Sequence, residues 1–488
     1  MKNFVKFYDS ILNSNKSSFV TVAISWLHII RPNSPGYLDN VNPLIKLKFL
    51  SFKNLYNIAK YILIYFLYRF KKLKYSNNKS PLKKKCDVLL ISHCLNKKMI
   101  NKTDDFYLGN LEKILQRKKL KVQKIFINHT NHCSEFLNLQ NKKKNHYVLE
   151  KYLGIIQELK IFSIQFKEFL RLYFIKLLNK RDKKLLKNIY ISVFDKQTTF
   201  ALRTRILIGN YLQKTNPTNI IFTYEGYAWE RLLINTSKEF NTKIKLIGYQ
   251  HPLVTKKNYA MLRNIKGKFN PDILWAPGNR SYNILRQSKK IKNIKIFKVG
   301  YLKKVQKYQK NNKIKPNCLV VPRASYPEII KLFNFSIKCA LEYKGIKFTL
   351  RLHPLVKLDK IIKKINYNIK SLPRNVIISK SSLTKDIKNS SFVLYTDSAS
   401  VIEASKGGNI PIYLNSDKKN NNDLLTDYNK SRLCVKNSSE LIKIITKYKI
   451  DKLLNIKRNA EKIFVDIYGK LNLPLIYKSL GSEISIKN

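Results

Sequence analysis

Acidic residues are scarce in this chain. Among its 488 residues, 30 are Asp or Glu against 95 Lys or Arg, and the formal net charge is +65. With so few carboxylates, neither an Asp-x-Asp metal motif nor a His-Glu-x-x-His zinc motif occurs. The doublet Asp104-Asp105 precedes a helical pattern and reads as a cap, so no metal requirement is indicated. No Gly-x-Gly-x-x-Gly or Walker loop is found among the 14 glycines. The six cysteines (Cys86, Cys94, Cys133, Cys318, Cys339 and Cys434) are scattered, without Cys-x-x-Cys or Cys/His ligand spacing. That excludes a zinc site and a disulfide framework, and they read as reduced core thiols of a cytoplasmic protein. No uninterrupted apolar run reaches the ~18–20 residues of a membrane-spanning helix. Internal repeats are absent, and so are low-complexity tracts beyond a Lys/Asn bias.

Length and apolar content are plentiful. With 44% hydrophobic and 12% aromatic residues the chain is globular, and 488 residues exceed one ordinary core, so two or three domains are expected. The positive charge alone would point to nucleic acid. Lys is spread along the chain instead of forming a stripe, however, and Lys, Asn and Ile share A/T-rich codons, so most of the excess reads as compositional background. Such a surface is still drawn to anionic membranes and polyanions, and salt weakens the attraction.

Residues 1–80 read as a helical and irregular extension. Phe19–Ile30 is modestly apolar but lacks a signal-peptide cleavage pattern. Tyr61–Tyr68 is a short aromatic and aliphatic block, collared by Lys60, Arg69, Lys71, Lys72 and Lys74. It suits a helix lying in a membrane interface or, equally, one buried on the next domain.

From residue 81 a strand/helix alternation begins. Strands are predicted at Cys86–His93, Lys121–His129, Asn219–Glu225, Lys243–Gln250 and Ile273–Ala276, helices at Thr103–Arg117 and Trp229–Phe240, and a long helical segment from His146 to Gln213. After a basic linker at Lys303–Lys315 the rhythm resumes. Strands follow at Asn317–Pro322, Lys347–His353, Asn375–Ser379, Phe392–Thr396 and Ile410–Leu414. Helices are expected at Glu328–Tyr343, Leu358–Ile365, Leu383–Asn389, Ser400–Lys406, Ser439–Lys449 and Lys452–Tyr468. Apolar strands alternating with helices imply two doubly wound α/β domains, residues 81–300 and 301–488, with one site at their junction.

Ligands of open parallel sheets bind at the carboxyl ends of strands, which singles out four sets. In Arg351-Leu352-His353-Pro354, alternation places Arg351 and His353 on one face and proline ends the strand, so both can meet a phosphate. In Tyr395–Ser400, the hydroxyls of Thr396, Ser398 and Ser400 meet a helix start, an anion site or a plain N-cap. Glu403, one turn in, could accept from ribose hydroxyls or be an ordinary helix-face residue. At Tyr224-Glu225-Gly226, Glu225 could be a general base or a cap, and Gly226 permits a tight turn. Glu230 reads as a helix-face residue. At Gly248–Pro252, Gln250 and His251 are acceptor-site or interface candidates.

In order and placement, Glu225-Gly226, His353-Pro354 and Ser398-Ala399-Ser400 resemble the acidic-Gly, His-Pro and Ser-Ser/Thr motifs of bacterial sialyltransferases, polysialyltransferases and related capsule nonulosonic-acid or Kdo transferases. Tyr224–Glu230 and Gly248–Pro252 also resemble bacterial surface-carbohydrate biosynthesis proteins. The resemblance covers about residues 219–415 and departs at Tyr224, where a second acid is common, and at Ala399, which splits the serine pair. It implies a GT-B-like fold of two Rossmann-like domains, the first binding acceptor and the second a nucleotide sugar. It further implies that Glu225 deprotonates the acceptor, that His353 serves the phosphate of a CMP leaving group, and that Ser398 and Ser400 hold that phosphate. The transfer would be inverting, with no metal and no separate cofactor. The acceptor would be a glycan or lipid-linked, and the place the inner face of the cytoplasmic membrane. Arg-Leu-His-Pro with Thr-Asp-Ser-Ala-Ser also resembles the CDP-glycerol glycerophosphotransferases. A non-catalytic basic scaffold binding membrane or nucleic acid is the reading from charge alone.

Overall fold

The computed structural model describes residues 2–14, 18–28, 67, 85–143, 145–174, 186, 189–254, 260–304, 308, 313–353, 356, 358–362, 364–367, 372–415 and 423–481. Most of the Tyr61–Tyr68 block, much of the Lys303–Lys315 linker and Pro354 lie outside these residues. The chain divides into two compact units, residues 1–304 with 471–488, and 305–470.

The first unit is built on β1 (Val88–Cys94), β2 (Val122–Asn128), β3 (His146–Val148), β4 (Asn219–Thr223), β5 (Lys245–Tyr249), β6 (Ile273–Ala276) and β7 (Lys295–Lys298). All pair in parallel, in the order β3-β2-β1-β4-β5-β6-β7. Both faces of the sheet are covered, so the central strands read as unbroken apolar runs. Val88, Leu90, Ile221 and Trp275 face one core, while Leu89, Ile91, Ile220 and Phe222 face the other. The first core includes Ile476 and Leu480 of the terminal helix Leu473–Leu480, and the Trp275 indole donates to Ser479 Oγ at 2.9 Å. This helix belongs to the first unit, not to the second as the expected range 301–488 had it. The second core takes in Tyr8, Leu12, Val22, Ala23, Ile24 and Leu27. Residues 2–14 and 18–28 thus belong to the first unit and not to a separate extension.

The second unit holds β8 (Asn317–Val320), β9 (Lys347–Leu350), β10 (Val376–Ile378), β11 (Phe392–Tyr395), β12 (Ile410–Leu414) and β13 (Leu433–Val435), parallel in the order β10-β9-β8-β11-β12-β13. Helices Tyr326–Glu342, Ser438–Lys447 and Ile450–Ile467 contribute Phe333, Leu441 and Leu453 to its core. Both units are the Rossmann-like doubly wound domains expected, and in each the order in which strands are added reverses once, between β1 and β4 and between β8 and β11, while all strands stay parallel.

Several local expectations are corrected. His146–Val148 is an edge strand, and the long helical segment resolves into Ile155–Tyr173 and Lys196–Thr215. The helix expected from Thr103 begins at Leu111. Asp105 is not its cap, since its Oδ1 accepts from Ser92 Oγ and from the N–H groups of Tyr107 and Leu108, each at 2.8 Å. Five cysteines are buried, but Cys434 is exposed. Among the described residues no helix is long and apolar enough to cross a membrane.

Candidate functional site

At the switch point of the first sheet, β4 runs to Thr223 and its chain continues through Tyr224 to Glu225. Gly226 then turns with φ +82°, and a Cβ there would stand 2.3 Å from the Ala260 carbonyl oxygen, so only glycine fits. The turn is clamped from within the following helix, Ala228–Phe240. Glu230, 1% exposed, accepts from the backbone N–H groups of Glu225, Gly226 and Tyr227 at 2.7–3.0 Å. Glu230 is therefore no helix-face residue but a buried acceptor at the third helical position that reaches back to the N-cap N–H of Tyr227, the half of a capping box that an acid there supplies. Burial, and then the charge of Glu225, raise its pKa well above the carboxylate range.

With its backbone held in this way, the Glu225 carboxylate stays 28% exposed. It accepts from the Tyr227 hydroxyl at 2.9 Å and stands 3.5 Å from His251 Nε2. Gln250, next to His251 at the end of β5, is fully buried, and neither its side-chain oxygen nor its nitrogen has a hydrogen-bond partner. Glu225, Gly226, Gln250 and His251 are thus gathered at adjacent strand ends.

The same end of the sheet holds residues that the sequence reading passed over. His93 Nε2 lies 2.8 Å from Thr223 Oγ1, across the β1/β4 switch point, and its Nδ1 lies 2.8 Å from His129 Nε2. Tyr107 sets its ring edge-on to both His93 and His251, at 5.1 and 4.9 Å, and Trp229 packs against His93. The signal was available, because the predicted strands ended on His93 and His129, and the strand-end rule applies to every strand of an open sheet.

These imidazoles are held neutral. Burial pushes His93 well below the usual histidine range, and burial with the Lys303 charge pushes His251 down to about 3. The unfolded chain therefore binds more protons than the folded chain between about pH 6.5 and pH 3. The stability that the neutral rings contribute is complete above pH 6.5 and is lost as pH falls through that window. At pH 5 the penalty from His251 alone is about 2 kcal/mol. Urea unfolding at pH 5 and 7.5 checks this: the midpoint falls in acid, and the fall is smaller in His251→Gln. An equal fall in that variant would contradict it.

At the switch point of the second sheet, the end of β8 carries Arg323, which the sequence reading also passed over. Arg323 pairs with Glu328 (Nε–Oε2 2.8 Å) and with Asp397. The Thr396 hydroxyl donates to Glu328, and the Ser398 hydroxyl bonds the Pro322 carbonyl at 3.4 Å. Ala399 is the N-cap of Ser400–Lys406 and makes no side-chain cap bond, so neither serine caps this helix. Ser400 is half-buried in its first turn, and Glu403 lies against the Tyr308 hydroxyl. One strand away, Arg351 is bonded to Asp386 at 2.6 Å and to the Ser381 carbonyl at 2.8 Å. His353 follows β9, half-buried, with burial lowering its pKa. Because β8 lies between β9 and β11, the end of β8 separates His353 from Thr396 and Ser398. Among the described residues, no group of three His, Cys, Asp or Glu side chains is placed to hold a metal ion.

No protein-family model matches the chain, and no curated protein matches it. Solved structures similar to it include UDP-GlcNAc 2-epimerase from Neisseria meningitidis bound to UDP-GlcNAc (13% identity, covering 81% of this chain and 99% of that one, TM-score 0.46). UDP-GlcNAc 2-epimerase from Methanocaldococcus jannaschii is similar at 15% identity, covering 78% and 98%, with a TM-score of 0.44. Anabaena HepE in complex with UDP-glucose is similar at 11% identity, covering 82% and 98%, with a TM-score of 0.45.

Proposed function

We propose that this protein is a glycosyltransferase of GT-B type that builds a surface polysaccharide (capsule, O-antigen or lipopolysaccharide) at the inner face of the cytoplasmic membrane. It moves a sugar, a nonulosonic acid carried by CMP, to a glycan or lipid-linked acceptor. The observation that carries the reading is Glu225, a carboxylate presented at a switch point by a buried clamp and flanked by Tyr227 and neutral His251. A carboxylate so presented can take the proton of an acceptor hydroxyl. The freed oxygen pair attacks the anomeric carbon, and the bond from that carbon to the phosphate oxygen breaks with its electrons on the phosphate. The configuration inverts. In this reading the resemblance assigns the departing phosphate to His353, Ser398 and Ser400, with Arg351 and Thr396 as further phosphate-binding candidates and Glu403 as the acceptor of ribose hydroxyl bonds.

Calorimetric titration with CMP, CDP, UDP and GDP tests the donor. CMP is expected to bind most tightly, and His353→Ala to weaken it by about tenfold or more, as loss of a hydrogen bond to a charged phosphate implies. A preference for UDP or GDP overturns the nonulosonic-acid assignment. The Arg-Leu-His and Thr-Asp-Ser-Ala-Ser segments support a second reading, transfer of glycerophosphate from CDP-glycerol. Turnover of CDP-glycerol in preference to CMP-sugars would establish it.

A further inference from the structure

The helix Ile155–Tyr173 has a buried face of mixed character and a second, apolar face. One packs inward through Ile161, Gln165, Glu168 and Leu172. The other is largely exposed, touching the fold at its margin where Phe162 meets Phe194 and Tyr173 meets Tyr190. Ile156, Leu159, Phe162, Phe166, Leu170 and Tyr173 recur every three or four residues, and their exposures are 71, 63, 58, 47, 37 and 55%. At 100° per residue they form one stripe about 120° wide. Soluble surfaces scatter such side chains singly; a contiguous row marks a contact surface.

The charges along the helix identify the contact. Both of its acids turn away from the stripe. Glu158 pairs with Arg203 (Nε–Oε1 2.7 Å), and Glu168, 4% exposed at its side chain, is bonded by Arg171 and by the Thr21 hydroxyl. Lys160 and Lys167 are exposed along one flank of the stripe. The outward surface is thus apolar and aromatic with a cationic margin, and it carries no exposed carboxylate. It belongs to a single 19-residue helix, whose backbone groups are bonded within the helix apart from those of its end turns. Those are the properties of an element that sinks its apolar face into the headgroup and acyl boundary of an anionic bilayer.

We propose that Ile155–Tyr173 is a membrane-docking helix, its Ile156–Tyr173 stripe entering an anionic lipid surface while Lys160 and Lys167 meet the headgroups. This rests on the membrane-surface part of the proposed function only and is independent of the transferase chemistry.

Flotation of the full chain with vesicles of phosphatidylcholine containing about 30% phosphatidylglycerol provides the test, in low salt and in ~0.5 M salt, where the general attraction of a cationic protein is screened. The wild type is expected to remain bound in high salt. The triple variant Ile156→Gln/Leu159→Gln/Phe166→Gln is expected to lose at least about tenfold in high-salt binding. Lys160→Glu/Lys167→Glu should weaken low-salt binding to anionic vesicles without changing the weak binding to pure phosphatidylcholine. The substituted residues are exposed, so circular dichroism and the urea midpoint should stay unchanged. If wild type and triple variant bind alike in high salt, this helix is not the docking element although the membrane reading survives. If the wild type does not bind at all, both fail. Self-association in the absence of vesicles that the triple variant abolishes would assign the stripe to a second copy of the chain and overturn the proposal. None of these outcomes bears on nucleotide binding, which tests the transferase reading separately.

Discussion

Glu225→Gln is expected to lower turnover by about 10²–10⁴-fold, the range that a positioned general base contributes, while nucleotide affinity and the urea midpoint stay close to wild type. The separation follows from where the side chain stands. Its carboxylate is partly exposed and bonded by the Tyr227 hydroxyl, while the turn beneath it is held by Glu230 through backbone N–H groups that the substitution leaves in place. An amide keeps the shape and can still accept from Tyr227, but it cannot take a proton. Single-turnover kinetics with donor and acceptor, alongside nucleotide titration, checks this. A basic scaffold without catalysis predicts salt-sensitive binding that is indifferent to the change. Unchanged turnover in Glu225→Gln would remove the general-base assignment.

Glu230→Ala should be the more damaging substitution for the fold. It removes the acceptor of three backbone N–H groups in one turn, that of Gly226 buried and those of Glu225 and Tyr227 part-buried, and leaves a cavity inside the first unit. Each unsatisfied buried donor costs about 1–3 kcal/mol before water or relaxation recovers part of it, so a net loss of about 2–4 kcal/mol is expected. Glu230→Gln, which retains one acceptor oxygen at the turn, should lose less. Both variants should also lower turnover, because Glu225 is aimed by this turn. The readouts are the urea midpoint and the turnover of the fraction that remains folded. A Glu230→Ala protein as stable as wild type would mean that the clamp contributes nothing to the turn. Gln recovering stability but not turnover would place the effect on the aim of Glu225.

The two acids illustrate how far sequence reading reaches. Tyr224-Glu225-Gly226 announces a carboxylate at a strand end, and the structure presents it there. Nothing local shows that Glu230, three residues into an apolar helical pattern, is the one that turns inward. That depends on the positions of three backbone donors in the preceding turn. The same holds at residue 105, whose carboxylate captures the N–H groups of Tyr107 and Leu108 and delays a helix that propensity would start earlier. Short edge strands were missed for a related reason. β7 exposes Lys295 and Lys298, and β3 and β13 have three residues each, too few to show a period. That Leu473–Leu480 joins the first unit is not legible locally, because its partner, Trp275, lies about two hundred positions away in sequence.

The sequence by itself determined that the chain alternates apolar strands with helices in two successive blocks, and that polar, hydroxyl and ionisable groups close several of those strands. Both properties are local, since a period of two or of 3.6 residues and a terminating Pro or Gly can be read within a dozen positions. Only the tertiary structure decided which strand ends are neighbours. Strand order within a sheet is set by long-range packing, and it is the order β1-β4 and β8-β11 that brings His93 to Thr223 beside Glu225, and Arg323 to Asp397 beside Ser398.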